Sequence, residues 1–508
     1  MSKKKFYVTT PIYYVNDIPH IGHAYTSYAA DTLARYKKYC GNEVFFLTGT
    51  DEHGQKVEDS AKLHGVTPEE YTNKISKKFI ELTKTLNLTN NDFIRTSNTE
   101  HKQYVRKIWE KLFHKGDIYL GNYKGWYSIR DECFVAENEI IKDKYQNKLG
   151  PSGDTLKWVE EPSYFFKLSK WQDKLLELYK SNRDFIMPKT RYNEIVKFVE
   201  GGLNDLSISR NSFSWGINVP DDEEHIIYVW LDALFNYKSI FEKKNCIKDF
   251  WPADVHIVGK DILRFHSVYW PAFLMSAGFE LPKTIYAHGW WTIEGKKMSK
   301  SLGNVVDPNQ VIKKYGSDQI RYFLLKEIPF GEDGNYSEEL LIKRINSDLA
   351  NDLGNLFQRV LSMLSKYFDG VLPQLKYTND TDKTLIGLPA KTLEDLHKHM
   401  KLLEFNKSIN SIWQIIKAAN AYVDKEEPWK LNKENPKRLQ TVMYLLVNSI
   451  YKITILLQPF LPNTSINILT QLKQNKEISF SDIDNNLSSG LKLDKPIILF
   501  PKIVENSL

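Results

Sequence analysis

The feature that most restricts the fold of this 508-residue chain is a buried strand running straight into a helix. "KKFYVTTPIYY" has the β-branched and aromatic content of such a strand. From about Pro19, Ile21, Ala24, Tyr28, Leu33 and Tyr36 recur at helical spacing, and Gly41 marks the stop. "EVFFLTGTDEHG" reads as a second buried strand that ends in a polar loop, with a further helix behind it. Strand, helix, strand in this order predicts a right-handed crossover and a parallel sheet.

The pattern changes between about Gly116 and Pro220, where short aromatic runs alternate with turns and charges. It resumes at "HIIYVWLDALFNY", "DVHIVGKDILRFHSVYW" and "KTIYAHGWWT". One sheet split by an insertion accounts for this better than two independent domains. After Tyr336 three long helical patterns follow, separated by loops with Pro and Gly, as in an antiparallel helical bundle. The predicted class is α/β: a Rossmann-like parallel-sheet domain in two halves, 1–115 and 221–335, a connective insertion at 116–220, and an α-helical bundle at 336–508.

Length alone predicts two to four domains. A 42% hydrophobic and 13% aromatic composition suits a folded globular chain. The net charge of +6 is compatible with a polyanionic partner without requiring one. Cys40, Cys133 and Cys246 stand far apart with no CxxC pair, which excludes a disulfide framework and fits a reducing compartment. "MSKKKFYVTT" lacks an apolar signal core, and "ITILLQPFL" is too short and too interrupted for a membrane span. A soluble, cytoplasmic protein without a membrane partner is expected.

Two stretches carry chemistry. In "PHIGHAY", His20 and His23 lie one helical turn apart at a helix start. Free backbone N–H groups and the helix dipole favour an anion there, and Gly22 lets one approach the backbone. In "EGKKMSKSLGN", Lys297 and Lys300 sit on a loop between Gly295 and Gly303 that can close over phosphates, which mobile ammonium groups can follow. Alone, the first is compatible with two solvent-facing histidines and the second with a basic turn. Neither matches GxxxxGK[ST], so an ordinary P-loop NTPase is excluded.

Together, in this order and each at a strand–helix junction, they resemble the signature pair of class I aminoacyl-tRNA synthetases. "TTPIYYVNDIPHIGH", "TGTDEHGQK", "YVWLDALFNY", "GKDILRFHSVYWPA" and "HGWWTIEGKKMSKS" narrow the resemblance to the methionyl-tRNA synthetase family over essentially the whole chain. The resemblance implies ATP, Mg²⁺ accompanying ATP, L-methionine and tRNA(Met) as partners. It assigns His20, His23, Lys297 and Lys300 to catalysis on the phosphates, and Gly22, Gly259 and Asp261 to ATP binding. It gives Ile12, Tyr14, Asp51, Trp230, Ala233, Leu234, Tyr237, Phe265, His266 and Trp270 to methionine, with Asp51 on the α-ammonium. It directs Asn351, Asn355, Arg359 and Trp429 to the anticodon. An aromatic slot suits a thioether, whose contacts with ring edges contribute about 0.3–1.5 kcal/mol each.

The chain also departs from the family. Where many relatives carry cysteine-rich zinc knuckles, "YKGWYSIRDECFVAENEI" offers Cys133 alone, against the four ligands of a structural zinc site. No zinc, and no other resident metal, is therefore expected. The insertion is too short for an editing domain of the leucine, isoleucine and valine type, and a monomer is the expected state. Two rival classes remain for comparison. A non-catalytic RNA-binding relative would have no need of all four charged residues, and a small-molecule adenylyltransferase would have no need of the helical region.

Overall fold

The computed structural model describes residues 3–504 apart from 130–132, 136, 144–145, 151–152, 244 and 298–304. Lys300 lies outside the described residues, as do the side chains of Lys297, Cys133 and Cys246.

Six parallel strands form the central sheet: β1 (Lys5–Tyr14), β2 (Glu43–Asp51), β3 (Asp92–Arg95), β4 (Ile186–Met187), β5 (Val255–Gly259) and β6 (Thr284–His288). Their order is β3-β2-β1-β5-β6-β4. The progression of strands therefore reverses between β1 and β5, and ligands of doubly wound sheets sit outside the carboxyl ends of strands at such a switch point. The sheet itself opens this crevice. β1 pairs with β5 only at Val8–Val255 and Thr9–His256, and its register with β2 shifts between Thr9 and Ile12. Pro11, which has no N–H to give to a ladder, stands in that shift, as proline in a central strand requires. Beyond it, Ile12, Tyr13 and Tyr14 pair with β2 alone.

Helix α1 (Ile21–Tyr39) follows β1 and packs its apolar face on the sheet, with Ile21, Ala24, Tyr28 and Leu33 buried. Inside it, Asp31 is gripped by Arg35 at 2.7 Å and by Arg321 at 2.6 Å, all three side chains nearly inaccessible. Arg321 also donates to the carbonyls of Leu86 and Pro459, which joins α1 to the C-terminal bundle. Burial opposes ionisation of Asp31, but the two guanidiniums outweigh it and hold the carboxyl at about 2.

The long antiparallel pair Ile118–Ser128 and Lys157–Phe166 leads the intervening stretch away from the sheet. Ile186–Met187, which falls inside the range expected as insertion, returns to the sheet as its edge strand beside β6. The C-terminal region is helical, with long helices at Asn355–Phe368, Asp380–Lys401, Phe405–Glu426 and Pro436–Leu457. The last is apolar and long enough to cross a membrane, yet 89% of its most apolar window is buried inside this bundle. It is a core helix of the folded chain.

Candidate active site

The candidate residues gather at the carboxyl ends of the central strands. His20 follows β1, Asp51 ends β2, Gly259 ends β5, and His288 ends β6. His20 is the N-cap of α1. Its Nδ1 accepts the Gly22 N–H at 3.1 Å, while His23 Nδ1 accepts the His20 N–H at 3.0 Å. Two imidazoles thus build a reciprocal capping box, a role usually filled by Ser/Thr and Glu/Gln. Once Nδ1 accepts, a neutral imidazole donates only from Nε2. Both rings are held in the tautomer with the proton on Nε2, with centroids 3.9 Å apart. Burial, reinforced by the neighbouring His20, lowers the pKa of His23 well below the ordinary histidine value and keeps it neutral. Gly22 is required by the cap itself, since a Cβ there would stand 2.8 Å from His20 Cε1.

The lysine-bearing segment leaves a strand that follows β6 and returns against this helix. Lys296–Lys297 pairs with Trp291–Ile293, the strand that follows β6. At the far end, Val306 O accepts the Ile21 N–H at 3.0 Å, one residue beyond His20. Val306, two residues after the undescribed 298–304, thus rests on the first turn of α1. His288 joins the same floor, with Nε2 2.8 Å from Thr26 Oγ1 and Nδ1 2.7 Å from Gly289 O. Opposite, Asp261 Oδ1 accepts the Trp290 indole N–H at 3.2 Å. A Cβ on Gly259 would lie 2.6 Å from that carboxylate oxygen, so the glycine admits the fold-over of Asp261.

The second half of the site is an aromatic pocket. Trp230 and Phe265 stack face to face at 3.8 Å and 5°. Tyr237 Oη lies 2.7 Å from His266 Nε2, and His266 Nδ1 lies 2.9 Å from Ile262 O. Nδ1 therefore carries the proton and the tyrosine donates. Trp270 donates to His256 Nε2 at 3.3 Å, so His256 presents its Nδ1–H to Thr9 Oγ1 at 2.8 Å. Burial pushes His266 down to about 4 and His256 well below the ordinary value, while it raises Tyr237. These groups are uncharged at neutral pH, as their burial demands. Ala233 and Leu234 are buried beside them. Ile12 and Tyr14 come from β1, with Tyr14 in register with Asp51. Asp51 also faces Tyr237, whose ionisation it opposes.

The turn after Asp51 is heavily anchored. Glu52 takes Arg95 Nε at 2.6 Å and Nη2 at 2.8 Å, together with hydroxyls of Thr50, Ser76 and Ser97. Trp215, from the returning end of the insertion, donates its indole N–H to Glu52 O at 2.5 Å and accepts the Gly54 N–H at 3.0 Å. In the bundle, Asn351 and Asn355 are exposed, Arg359 pairs with Asp424 at 2.7 Å, and Trp429 is 42% exposed. They stand far along the chain from the strand ends that carry the other candidates. Among the described residues no group of three or more His, Cys, Asp or Glu gathers as for a metal.

Sequence reasoning missed His256, Trp215 and His53. A histidine inside the apolar run "DVHIVG" was the available signal for the first.

A switch-point crevice and a histidine-capped helix, with the chain after the lysine pair returning to that helix at Val306, are those of a class I aminoacyl-tRNA synthetase. The family of class I tRNA synthetases of the methionine type, "tRNA synthetases class I (M)", matches residues 6–361, and the "Anticodon binding domain of methionyl tRNA ligase" matches 372–508. The methionine–tRNA ligase of Rickettsia felis is 49% identical over 98% of this chain and 99% of its own length. That of Brucella suis is 46% identical over 99% of both. Among solved structures, Mycobacterium tuberculosis methionyl-tRNA synthetase in complex with methionyl-adenylate superposes with a TM-score of 0.95 at 44% identity, covering 98% of this chain and all of that one. Its apo form gives 0.88 at 41% identity, covering 99% of each chain. The chain belongs to the methionine–tRNA ligase family.

Proposed function

We propose that His20, His23, Lys297 and Lys300 grip one ATP and drive, in this chain, the methionine activation that defines its family. The methionine carboxylate oxygen attacks the α-phosphorus, the bond to the bridging oxygen of the β-phosphate breaks, and pyrophosphate leaves with the Mg²⁺ that entered as part of the nucleotide. The 3′-terminal hydroxyl of tRNA(Met) then attacks the adenylate carbonyl, forms the ester and releases AMP. Positioning and charge stabilisation suffice for both steps. The Nε2–H groups of the capping box meet negative charge as it builds on the phosphates, and the lysines follow the departing pyrophosphate.

One observation carries the reading: the Ile21–Val306 hydrogen bond brings the exit of the lysine loop to the histidine cap. Gly22 gives the phosphates access to the helix end, and Gly259 and Asp261 take the adenosine. Ile12, Tyr14, Trp230, Ala233, Leu234, Tyr237, Phe265, His266 and Trp270 enclose the side chain of methionine, with Asp51 on its α-ammonium. Segments 1–115 and 221–335 do the chemistry, 116–220 covers the site without zinc, and 336–508 takes the anticodon through Asn351, Asn355, Arg359 and Trp429. The working unit is a cytoplasmic monomer.

Amino-acid-dependent exchange of pyrophosphate into ATP tests the central step. Exchange with methionine, well ahead of leucine and isoleucine, is expected. No exchange in folded protein, or a preference for another amino acid, would overturn it. One zinc per chain after dialysis, or a dimer mass in light scattering at micromolar concentration, would overturn the metal and assembly readings.

A further inference from the structure

Helix α2 (Thr99–His114) and helix α3 (Val229–Leu234) meet behind the methionine pocket around a single carboxylate, Asp232. Asp232 is 1% exposed and sits in "VWLDAL" between Leu231 and Ala233, both fully inside the core. His53 Nδ1 lies 2.6 Å from one carboxylate oxygen, and His101 Nε2 lies 2.7 Å from the other. His101 Nδ1 continues to Ser239 Oγ at 2.7 Å. A hydrogen-bonded line of four side chains thus crosses from the helix Asn236–Lys243, through α2 and α3, to the turn that carries Asp51.

Burying a carboxylate costs several kcal/mol, and a leucine of similar volume would close such a wall without that cost. Burial does push the Asp232 carboxyl up, but the charges and hydrogen bonds of His53 and His101 outweigh it and hold it at about 2. The group is a permanent buried anion. Its place is informative because the turn has three successive acidic or basic side chains with three different duties. Asp51 ends β2 in register with Tyr14 and Glu52 is spent on Arg95, whereas His53 is spent on Asp232. The other walls of the thioether slot, Phe265, His266 and Trp270, come from one segment, Phe265–Ala277. There Phe265 stacks on Trp230, His266 is held by Tyr237 and Trp270 by His256, and none of the three bonds Asp232 or His53 directly.

We propose that Asp232 is a positioning residue for the α-ammonium of methionine, its carboxylate pinning His53 and so fixing the Asp51 turn against the pocket helix. The inference rests on the reading of Asp51 as the ammonium site. An ammonium held by one carboxylate is sensitive to small displacements of that group, while a thioether slot is not. Loss of Asp232 should therefore act on the amino group of the ligand and spare its side chain.

The test compares methionine with 4-(methylthio)butanoate, which keeps the thioether and the carboxylate and lacks the amino group. Both are measured as ligands of the full chain, by tryptophan fluorescence and by competition in pyrophosphate exchange. Asp232→Asn is expected to weaken methionine about tenfold or more, roughly 1.4 kcal/mol, and to leave the desamino ligand within about twofold. Asp51→Asn should give the same selectivity with a larger loss. Equal losses for both ligands in Asp232→Asn, or none for either, overturn the proposal. If Asp51→Asn itself loses both ligands alike, the ammonium lies elsewhere and the reading of Asp51 falls, a result distinguishable from an unselective Asp232→Asn beside a selective Asp51→Asn. A second pair leaves Asp232 in place, so it covers the case in which Asp232→Asn does not fold. His53→Ala should copy the selective loss, and His53→Asn, whose amide occupies the position of Nδ1, should restore methionine binding. The reverse ordering also overturns the proposal.

Discussion

Replacing His23 by asparagine or by glutamine separates two duties of one imidazole. Nδ1 accepts the His20 N–H at 3.0 Å and closes the helix cap, which leaves Nε2–H as the donor for phosphate. An asparagine amide reaches the position of Nδ1 and no further, so it preserves the cap and deletes the donor. A glutamine amide can take the His20 N–H, as glutamine does at this position of an ordinary capping box, or reach the position of Nε2, but it cannot do both at once. His23→Asn is therefore expected to stay within about 0.5 kcal/mol of the parent in stability, since the capping acceptor survives. Its adenylate formation should slow by about 10²–10³, the loss typical of one donor aimed at developing charge. His23→Gln should also stay within about 0.5 kcal/mol of the parent in stability, since glutamine at N3 can accept the N-cap N–H. Its rate should fall much less than that of the asparagine variant. Rapid-quench single-turnover formation of methionyl-adenylate gives the rates, and urea unfolding gives the stabilities. A glutamine variant slower than the asparagine variant would refute the reasoning, as would two variants that lose rate and stability in parallel.

Three further outcomes are expected. Burial holds His266 at about 4, below the 6.5 of an unfolded histidine, so the stability it contributes is complete above about pH 6.5 and drains as the pH falls toward 4. Between pH 7 and pH 5 this one group should cost roughly 2 kcal/mol, and His266→Gln should flatten the slope of urea stability across that window by a similar amount. An unchanged slope would contradict the neutral tautomer assigned to it. Lys300→Ala should slow adenylate formation far more than it weakens methionine binding, because its contact strengthens as charge develops; equal losses in rate and affinity would remove it from the phosphates. Trp429→Ala should raise the tRNA concentration needed for charging and leave pyrophosphate exchange intact, since the exposed indole stands apart from the crevice. A matching fall in exchange would contradict that separation.

The parts of this fold that announce themselves in the sequence are those fixed by local patterning. β1, α1 and β2 follow from apolar runs and a helical repeat, and the paired histidines and lysines follow from spacing. What stays hidden is set by neighbours distant in the chain. Ile186–Met187 is a strand only because β6 lies beside it, and two residues carry no period. The capping role of His20 and His23 depends on the extended backbone at His20, which no composition reveals. The line from His53 to Asp232 and His101 spans separations of 179 and 131 residues. Its one trace is a lone acid within an apolar run. Trp215 is likewise an ordinary aromatic in a loop until the Asp51 turn is seen to rest on it.

The claim beneath all of this is that an imidazole pair and an ammonium pair converge on one triphosphate. A crystal structure of the chain with methionine and a non-hydrolysable ATP analogue tests it most directly. The account predicts His20 and His23 Nε2, and the Lys297 and Lys300 ammonium groups, within about 3 Å of phosphate oxygens of the same nucleotide. A bound nucleotide whose phosphates touch the histidines while the loop at 298–304 stays turned away, or one seated outside the β1–β5 crevice, would contradict it.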